Sequence, residues 1–130
     1  MTQTLFQFAL IALGGAFGGI GRVFVASVIE RRFGDRFPWG TLAVNVSGSA
    51  VIGLAATLPV GGAAILADPA IRALVIIGFI GSYTTVSTFA LQTYALGESG
   101  RWGVMATNMA LSVSLCLIAA AAGATIGAAV

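Results

Sequence analysis

The chain has 130 residues, of which 58% are hydrophobic and 8% charged, and its formal net charge is +2. Soluble domains carry about 25% charged residues, so this composition indicates an integral membrane protein. The charged residues cluster in loops and imply no nucleic-acid partner. The absence of histidine and the single cysteine exclude imidazole chemistry and an intrachain disulfide.

Hydropathy predicts an all-α integral membrane protein with four transmembrane helices. A spanning helix needs about 20 apolar residues, so four spans with short loops use the whole chain. The predicted spans cover residues 4–29, 39–58, 69–96 and 101–128. We therefore expect a single transmembrane domain over residues 1–130.

Prolines and glycines mark the boundaries of the predicted spans. Pro38 suits the first turn of the second span, which ends at Pro59 and the glycines after it. Asp68 is placed as the N-cap of the third span, with Pro69 at the first helical position. The third span is expected to be broken near residues 81–85.

Small residues predict close helix packing in the first two spans, because they let helix backbones approach. The second span has small residues at Gly48 and Gly53. The number of helix faces made of small residues also suggests packing against a second copy. The glycines of the first span form two overlapping GxxxG patterns and are Gly14, Gly15, Gly18, Gly19 and Gly21.

Four hydroxyl side chains lie within five positions of the third span: Thr84, Thr85, Ser87 and Thr88. In lipid, an unpaired hydroxyl or backbone group costs several kcal/mol. The cluster is therefore expected to be buried in protein or to line a watery path. We place the functional site here.

Polar residues also occur in the second and fourth spans. The amide of Asn45 either makes a buried helix–helix hydrogen bond or presents its NH2 group to a polar path. Asn108, Ser112 and Cys116 are spaced i, i+4, i+8 and form one stripe. Ser112 alone is equally consistent with a bond to its own helix, but the stripe together with Asn45 favours a path. Cys116 is interpreted as a core thiol.

Two further side chains, Arg22 and Phe89, have two interpretations each. Arg22 lies about two turns inside the first span, where it either snorkels to the interface or raises the anion concentration in a vestibule. Val86 and Phe89 share a helical face. The Phe89 ring either packs against apolar neighbours or presents its weakly positive edge to an anion.

No residue pattern supports catalysis, so the chain is predicted not to be an enzyme. It has no phosphate loop, nucleophile–base pair or metal-ligand cluster. Neutral donors remain, and they bind a small anion weakly enough for conduction. The alternatives are a small multidrug-transporter-like subunit, which relies on an acid deep in the first span that is missing here, and a structural membrane subunit.

Three segments closely resemble the CrcB/Fluc fluoride channel family. Residues 14–22 (GGAFGGIGR) resemble the pattern GGxxGxxxR, and residues 38–49 (PWGTLAVNVSGS) resemble PxGTLxxNxxGS. Residues 78–89 (GFIGSYTTVSTF) resemble GFxGxxTTFSTF. Their order and spacing agree over the whole chain, and the three segments together are highly specific.

The resemblance implies a passive, fluoride-selective channel in the plasma (inner) membrane of a prokaryote, where it exports cytoplasmic fluoride and gives fluoride resistance. Family members are antiparallel dual-topology homodimers with two pores along the subunit contacts. The resemblance also implies a structural sodium ion at the dimer centre. Backbone carbonyls of Gly81 and Thr84 from each subunit would hold this ion, which suits a hard cation.

The resemblance also supplies the candidate site residues, with Arg22 in the vestibule. Where the family has a second phenylalanine this chain has Val86, so a ring edge is lost and conductance or selectivity is expected to change. The uneven arginine distribution between the two sides leaves an oppositely oriented paralogue as an alternative partner. The candidate pore and fluoride-binding residues are Asn45, Val86, Ser87, Thr88, Phe89, Asn108 and Ser112.

Overall fold

The computed structural model describes residues 2–57 and 68–129. These residues form five helical elements and, within the described ranges, no strand. The prediction of four spans is confirmed, because four helical stretches are long and apolar enough to cross a membrane. The helices are α1 (Thr2–Phe33), α2 (Trp39–Thr57), α3 (residues 69–83), α4 (Val86–Glu98) and α5 (Trp102–Ala129).

The described helices cover two of the predicted span boundaries, the end of the first span and the start of the third. The first span does not end at residue 29, because α1 continues through the charged residues to Phe33. The predicted end of the second span at Pro59 lies outside the described residues. The start of the third span is confirmed, since the Asp68 carboxylate accepts hydrogen bonds from the N–H groups of Ala70 (2.7 Å) and Ile71 (3.2 Å).

The predicted break in the third span is confirmed. Helix α3 ends at Tyr83, the backbone is extended at Thr84 and Thr85, and α4 begins at Val86. The hydroxyl-rich segment therefore separates two half-helices. The structure adds a feature that the sequence did not predict: Arg72–Ile80 is a π-helix.

Glycines bring the helices together in two pairs. A Cβ atom on Gly14 or Gly18 would collide with backbone carbonyls of α3, and one on Gly53 or Gly123 would collide with the facing helix of the α2–α5 pair. The predicted close packing is thus confirmed at Gly14, Gly18 and Gly53, whereas Gly19 has no neighbour within 4 Å of the position that a Cβ would occupy. These faces are already used within one chain, however, so they are not evidence for a second copy.

Helix α4 is only thinly covered by the rest of the chain. It contacts mainly α5, and on its outer side Val86 is 79% exposed and Leu91 67% exposed. The buried apolar core among the described residues is small and consists of Leu42, Val44, Ala73, Ile80 and Leu96. The outer side of α4 must therefore face lipid or another protein.

The α1–α2 and α4–α5 connections lie at the same end of the molecule. The guanidinium of Arg101 donates a hydrogen bond to the backbone carbonyl of Arg36. Gly34 and Gly100 allow the chain to turn here, because both adopt positive φ angles (81° and 72°). This end is called the loop end below.

Candidate functional site

Asn45 of α2 holds the break in the third span. Its Nδ2 donates to the Thr85 carbonyl (2.8 Å), and its Oδ1 accepts from the Thr85 N–H (2.7 Å). Thr85 is buried and extended, so its backbone groups have left the helical hydrogen-bond pattern. Inside a membrane such groups must find partners within the protein. One amide therefore satisfies both groups at the centre of the break.

The hydroxyl cluster caps the second half-helix. The Thr85 Oγ1 accepts from the Thr88 N–H (3.2 Å) and donates to the Thr88 Oγ1 (3.1 Å). It also pairs with the Ser87 Oγ at 3.1 Å. Thr85 is thus the N-cap of α4, a role that the sequence interpretation did not assign.

Two backbone carbonyls are released at the break. In a continuous helix the Gly81 carbonyl would accept from the Thr85 N–H, and the Thr84 carbonyl from the Thr88 N–H. Asn45 and the Thr85 hydroxyl take those two N–H groups instead. Neither carbonyl accepts a hydrogen bond from the described residues. Both oxygens therefore remain as potential ligands.

Three cavities follow one another from the break to the loop end. The central cavity (about 540 Å³) and the chamber (about 280 Å³) share Thr85, and the chamber and the mouth (about 340 Å³) share Glu30 and Gln92. The lining of the central cavity includes Asn45, Ser49, Gly81, Thr84, Thr85, Val86, Phe89, Ser112 and Cys116. The chamber is lined by residues including Arg22, Glu30, Thr41, Thr85, Thr88 and Gln92. The mouth is lined by residues including Glu30, Asp35, Gln92, Ser99 and Arg101.

The structure brings most of the candidate residues onto this series of cavities. Asn45, Val86, Phe89 and Ser112 line the central cavity together with the predicted sodium ligands. Among the described residues, the Cys116 thiol is the one ionisable side chain that lines the central cavity. Arg22 and Thr88 line the chamber, so the half-buried Arg22 side chain faces a polar space.

Two candidates lie away from these cavities. Asn108 is 1% exposed, and its Nδ2 donates to the Thr93 Oγ1 (2.8 Å), which joins α4 to α5. Its Oδ1 accepts from the Ser112 Oγ at 3.5 Å, so Asn108 supports the cavity wall through Ser112. Ser87 is exposed and pairs with Thr85.

The core interpretation of Cys116 is not what the structure shows. The thiol is only half-buried and lines the central cavity. Cys116 is the last residue of the i, i+4, i+8 stripe, and this end of the stripe lies beside the break.

Several lining residues were not singled out from the sequence. Gln92 is an amide within an apolar helix, the same signal that drew attention to Asn45, and it could have been found. Thr41 and Ser49 lie on the face of α2 that carries Asn45, at i−4 and i+4, and this spacing was an available signal. The predicted first span ends at residue 29 and so places Glu30 in the charged loop that follows. Because α1 continues to Phe33, Glu30 lies on the helix beside the chamber.

Comparison with known proteins identifies the family of the chain. Residues 9–124 match the family model described as CrcB-like protein, Camphor Resistance (CrcB). The chain belongs to the CrcB family. The match covers all three motif segments and the whole series of cavities.

Curated relatives within the CrcB family are similar over nearly their full length. The Fluoride-specific ion channel FluC 2 of Rhodopseudomonas palustris (strain BisB18) is 42% identical over 95% of this chain and 94% of the relative. The Fluoride-specific ion channel FluC of Opitutus terrae is 44% identical over 84% of this chain and 83% of the relative. That of Magnetococcus marinus is 40% identical over 93% and 97%. Four spans and these relatives identify a multi-pass membrane protein.

Proposed function

We propose that this protein is a passive, fluoride-selective ion channel that exports cytoplasmic fluoride and thereby gives fluoride resistance. The observation that carries the proposal is the series of adjoining cavities between the loop end and the break, in which the mostly apolar central cavity carries uncharged amide and hydroxyl side chains. The curated relatives named as fluoride-specific channels support the choice of ion. The role is conduction and not catalysis.

The lining residues suit a small anion that must not be trapped. Arg22 raises the local anion concentration in the chamber. In the central cavity Asn45 has one N–H left after its bond to Thr85, and Phe89 presents an aromatic ring. Such neutral donors bind fluoride weakly, and conduction requires binding that is favourable but reversible.

The thin covering of α4 supports a dimer as the working unit. Val86 and Val113 line the central cavity and are 79% and 59% exposed, so the cavity opens on the outer surface of the chain, where a second copy could pack. A second copy in the opposite orientation would close it and produce two pores along the contact. We place the dimer in the plasma (inner) membrane of a prokaryote. An oppositely oriented paralogue is the alternative partner.

A structural sodium ion fits the released carbonyls. The Gly81 and Thr84 oxygens lie beside the break and accept no hydrogen bond from the described residues, and hard cations prefer such oxygens. When bound at the dimer centre, sodium supplies positive charge that holds the two breaks together. Asn45 contributes by keeping the Thr85 N–H away from Gly81.

Fluoride efflux from proteoliposomes tests the proposal. Purified protein is reconstituted with internal potassium fluoride, potassium is made permeant with an ionophore, and release is followed with a fluoride electrode. We expect rapid fluoride release and no chloride release from matched chloride-loaded vesicles. Protein-free vesicles give the background. Well-reconstituted dimer that releases no fluoride would contradict the proposed function.

A further inference from the structure

The chamber and the mouth meet at two side chains. Glu30 and Gln92 line both cavities, whereas Arg22 lines the chamber but not the mouth, and Arg101 lines the mouth but not the chamber. The chamber and the mouth therefore border each other at Glu30 and Gln92. This pair is called the neck.

Both neck side chains carry oxygen acceptors. The Gln92 Oε1 is buried and has no hydrogen-bond donor among the described residues. The Glu30 carboxylate lies against the start of α2, where its Oε1 is 2.9 Å from the position that a Cβ on Gly40 would occupy. Gly40 thus leaves room for the carboxylate beside the helix. Glu30 is half-buried, so its charge is screened less than that of an exposed acid.

The charges follow a definite order along the route. Arg22 precedes Glu30 by eight residues on α1, which places it about 12 Å deeper along the helix. An anion that enters from the mouth meets the negative charge of Glu30 before it reaches the attraction of Arg22. A weakly screened charge that lines a cavity has a strong effect on the local concentration of anions.

We propose that Glu30 sets the rate at which fluoride passes from the mouth into the chamber, by electrostatic repulsion at the neck. This inference rests on the proposed channel function. It concerns a side chain of α1 that lies outside the three motif segments. The repulsion acts on any anion, so Glu30 limits throughput, while the central cavity selects the ion.

The test compares fluoride efflux rates of the wild-type dimer with those of Glu30→Gln and Glu30→Asp. We expect Glu30→Gln to be three- to tenfold faster at low ionic strength, because the charge is removed and the shape is kept. Glu30→Asp keeps the charge and should remain within about twofold of wild type. Glu98→Gln is the control, since this exposed acid lines none of the three cavities.

Ionic strength separates a charge effect from a structural one. The ratio of the Glu30→Gln rate to the wild-type rate should decrease in about 1 M salt of an impermeant anion, where the Debye length is about 3 Å, although it should stay above one because Glu30 is half-buried. An unchanged Glu30→Gln rate at low ionic strength would overturn the inference. Equal acceleration by Glu30→Asp would do so too, because it would show that shape matters and charge does not.

Two controls keep the outcomes distinct. Glu30→Ala serves as a second neutral variant if Glu30→Gln does not give a folded dimer by size-exclusion chromatography, and the same acceleration is expected of it. Wild-type protein that conducts no fluoride would contradict the proposed function itself. Conducting wild type with unaltered neutral variants would contradict only the role of Glu30.

Discussion

At the scale of single residues, the broken span depends on Asn45. Its amide is 40 residues away from Thr85 in sequence and is bonded to both backbone groups of that residue. A buried backbone group without a partner costs about 1–3 kcal/mol. An apolar side chain of similar size at this position would leave both backbone groups of Thr85 without these partners.

We therefore expect Asn45→Leu to lower the free energy of unfolding by about 2–6 kcal/mol and to abolish fluoride efflux. Thermal unfolding in detergent and efflux from proteoliposomes measure the two effects. The control is Ser114→Ala, which removes an exposed hydroxyl bonded only within its own helix and should change neither. Wild-type efflux in Asn45→Leu would show that the amide is dispensable for conduction.

The second prediction at this scale concerns Val86. It lines the central cavity beside Phe89 but has no aromatic edge to offer an anion. We expect Val86→Phe to raise the fluoride efflux rate several-fold or to change the fluoride-to-chloride ratio. Val86→Leu, which adds apolar volume without a ring, should do neither. If Val86→Phe and wild type gave the same rate and ratio, an aromatic ring at position 86 would be shown to affect neither conductance nor selectivity.

At the scale of helices, glycine contacts set the distance between α1 and α3. Gly18 faces the backbone at Phe79, whereas no heavy atom lies within 4 Å of the position that a Cβ on Gly19 would occupy. We expect Gly18→Ala to destabilise the protein by about 1–3 kcal/mol through overpacking, and Gly19→Ala to have little effect. Thermal unfolding of the two variants in the same detergent is the measurement. Equal stabilities would mean that α3 shifts away at no cost.

Local signals predicted the elements better than they predicted the partners of each residue. The apolar runs, Asp68–Pro69 and the hydroxyl cluster located the spans, a helix start and the break. The π-helix left no such signal, because a change in hydrogen-bond spacing needs no particular residue type. The bond from Asn45 to Thr85 was also beyond reach, since sequence alone does not bring positions 45 and 85 together.

At the scale of the whole molecule, the proposed antiparallel pair predicts two equally populated orientations in the membrane. A cysteine introduced at the exposed Ser99, in a Cys116→Ser background, reports the position of the loop end. An impermeant thiol reagent should label about half of the molecules in intact cells and the remainder after permeabilisation, as equal populations of two orientations require. Labelling from one side alone would instead indicate an oppositely oriented paralogue as partner.

Sodium removal tests the assembly in a different way. A cation that binds only the folded dimer stabilises it by mass action. Replacing sodium with N-methylglucamine at equal ionic strength should therefore lower the unfolding temperature of the dimer and favour monomers in size-exclusion chromatography. The same profile in both cations would contradict a structural sodium at Gly81 and Thr84. Protein in lithium provides a comparison for ion size.

The pairing of helices has a consequence for how the chain is made. Helix α1 packs mainly on α3, and α2 packs mainly on α5. During synthesis, α1 and α2 therefore enter the membrane before the main packing partner of either has been made. The main partner of α2 is α5, which is the last helix to leave the translocon. A nascent chain stopped after α4 would hold α2 with its glycine face exposed to lipid. Truncated products would therefore expose this apolar glycine face, and the last helix is needed to cover it.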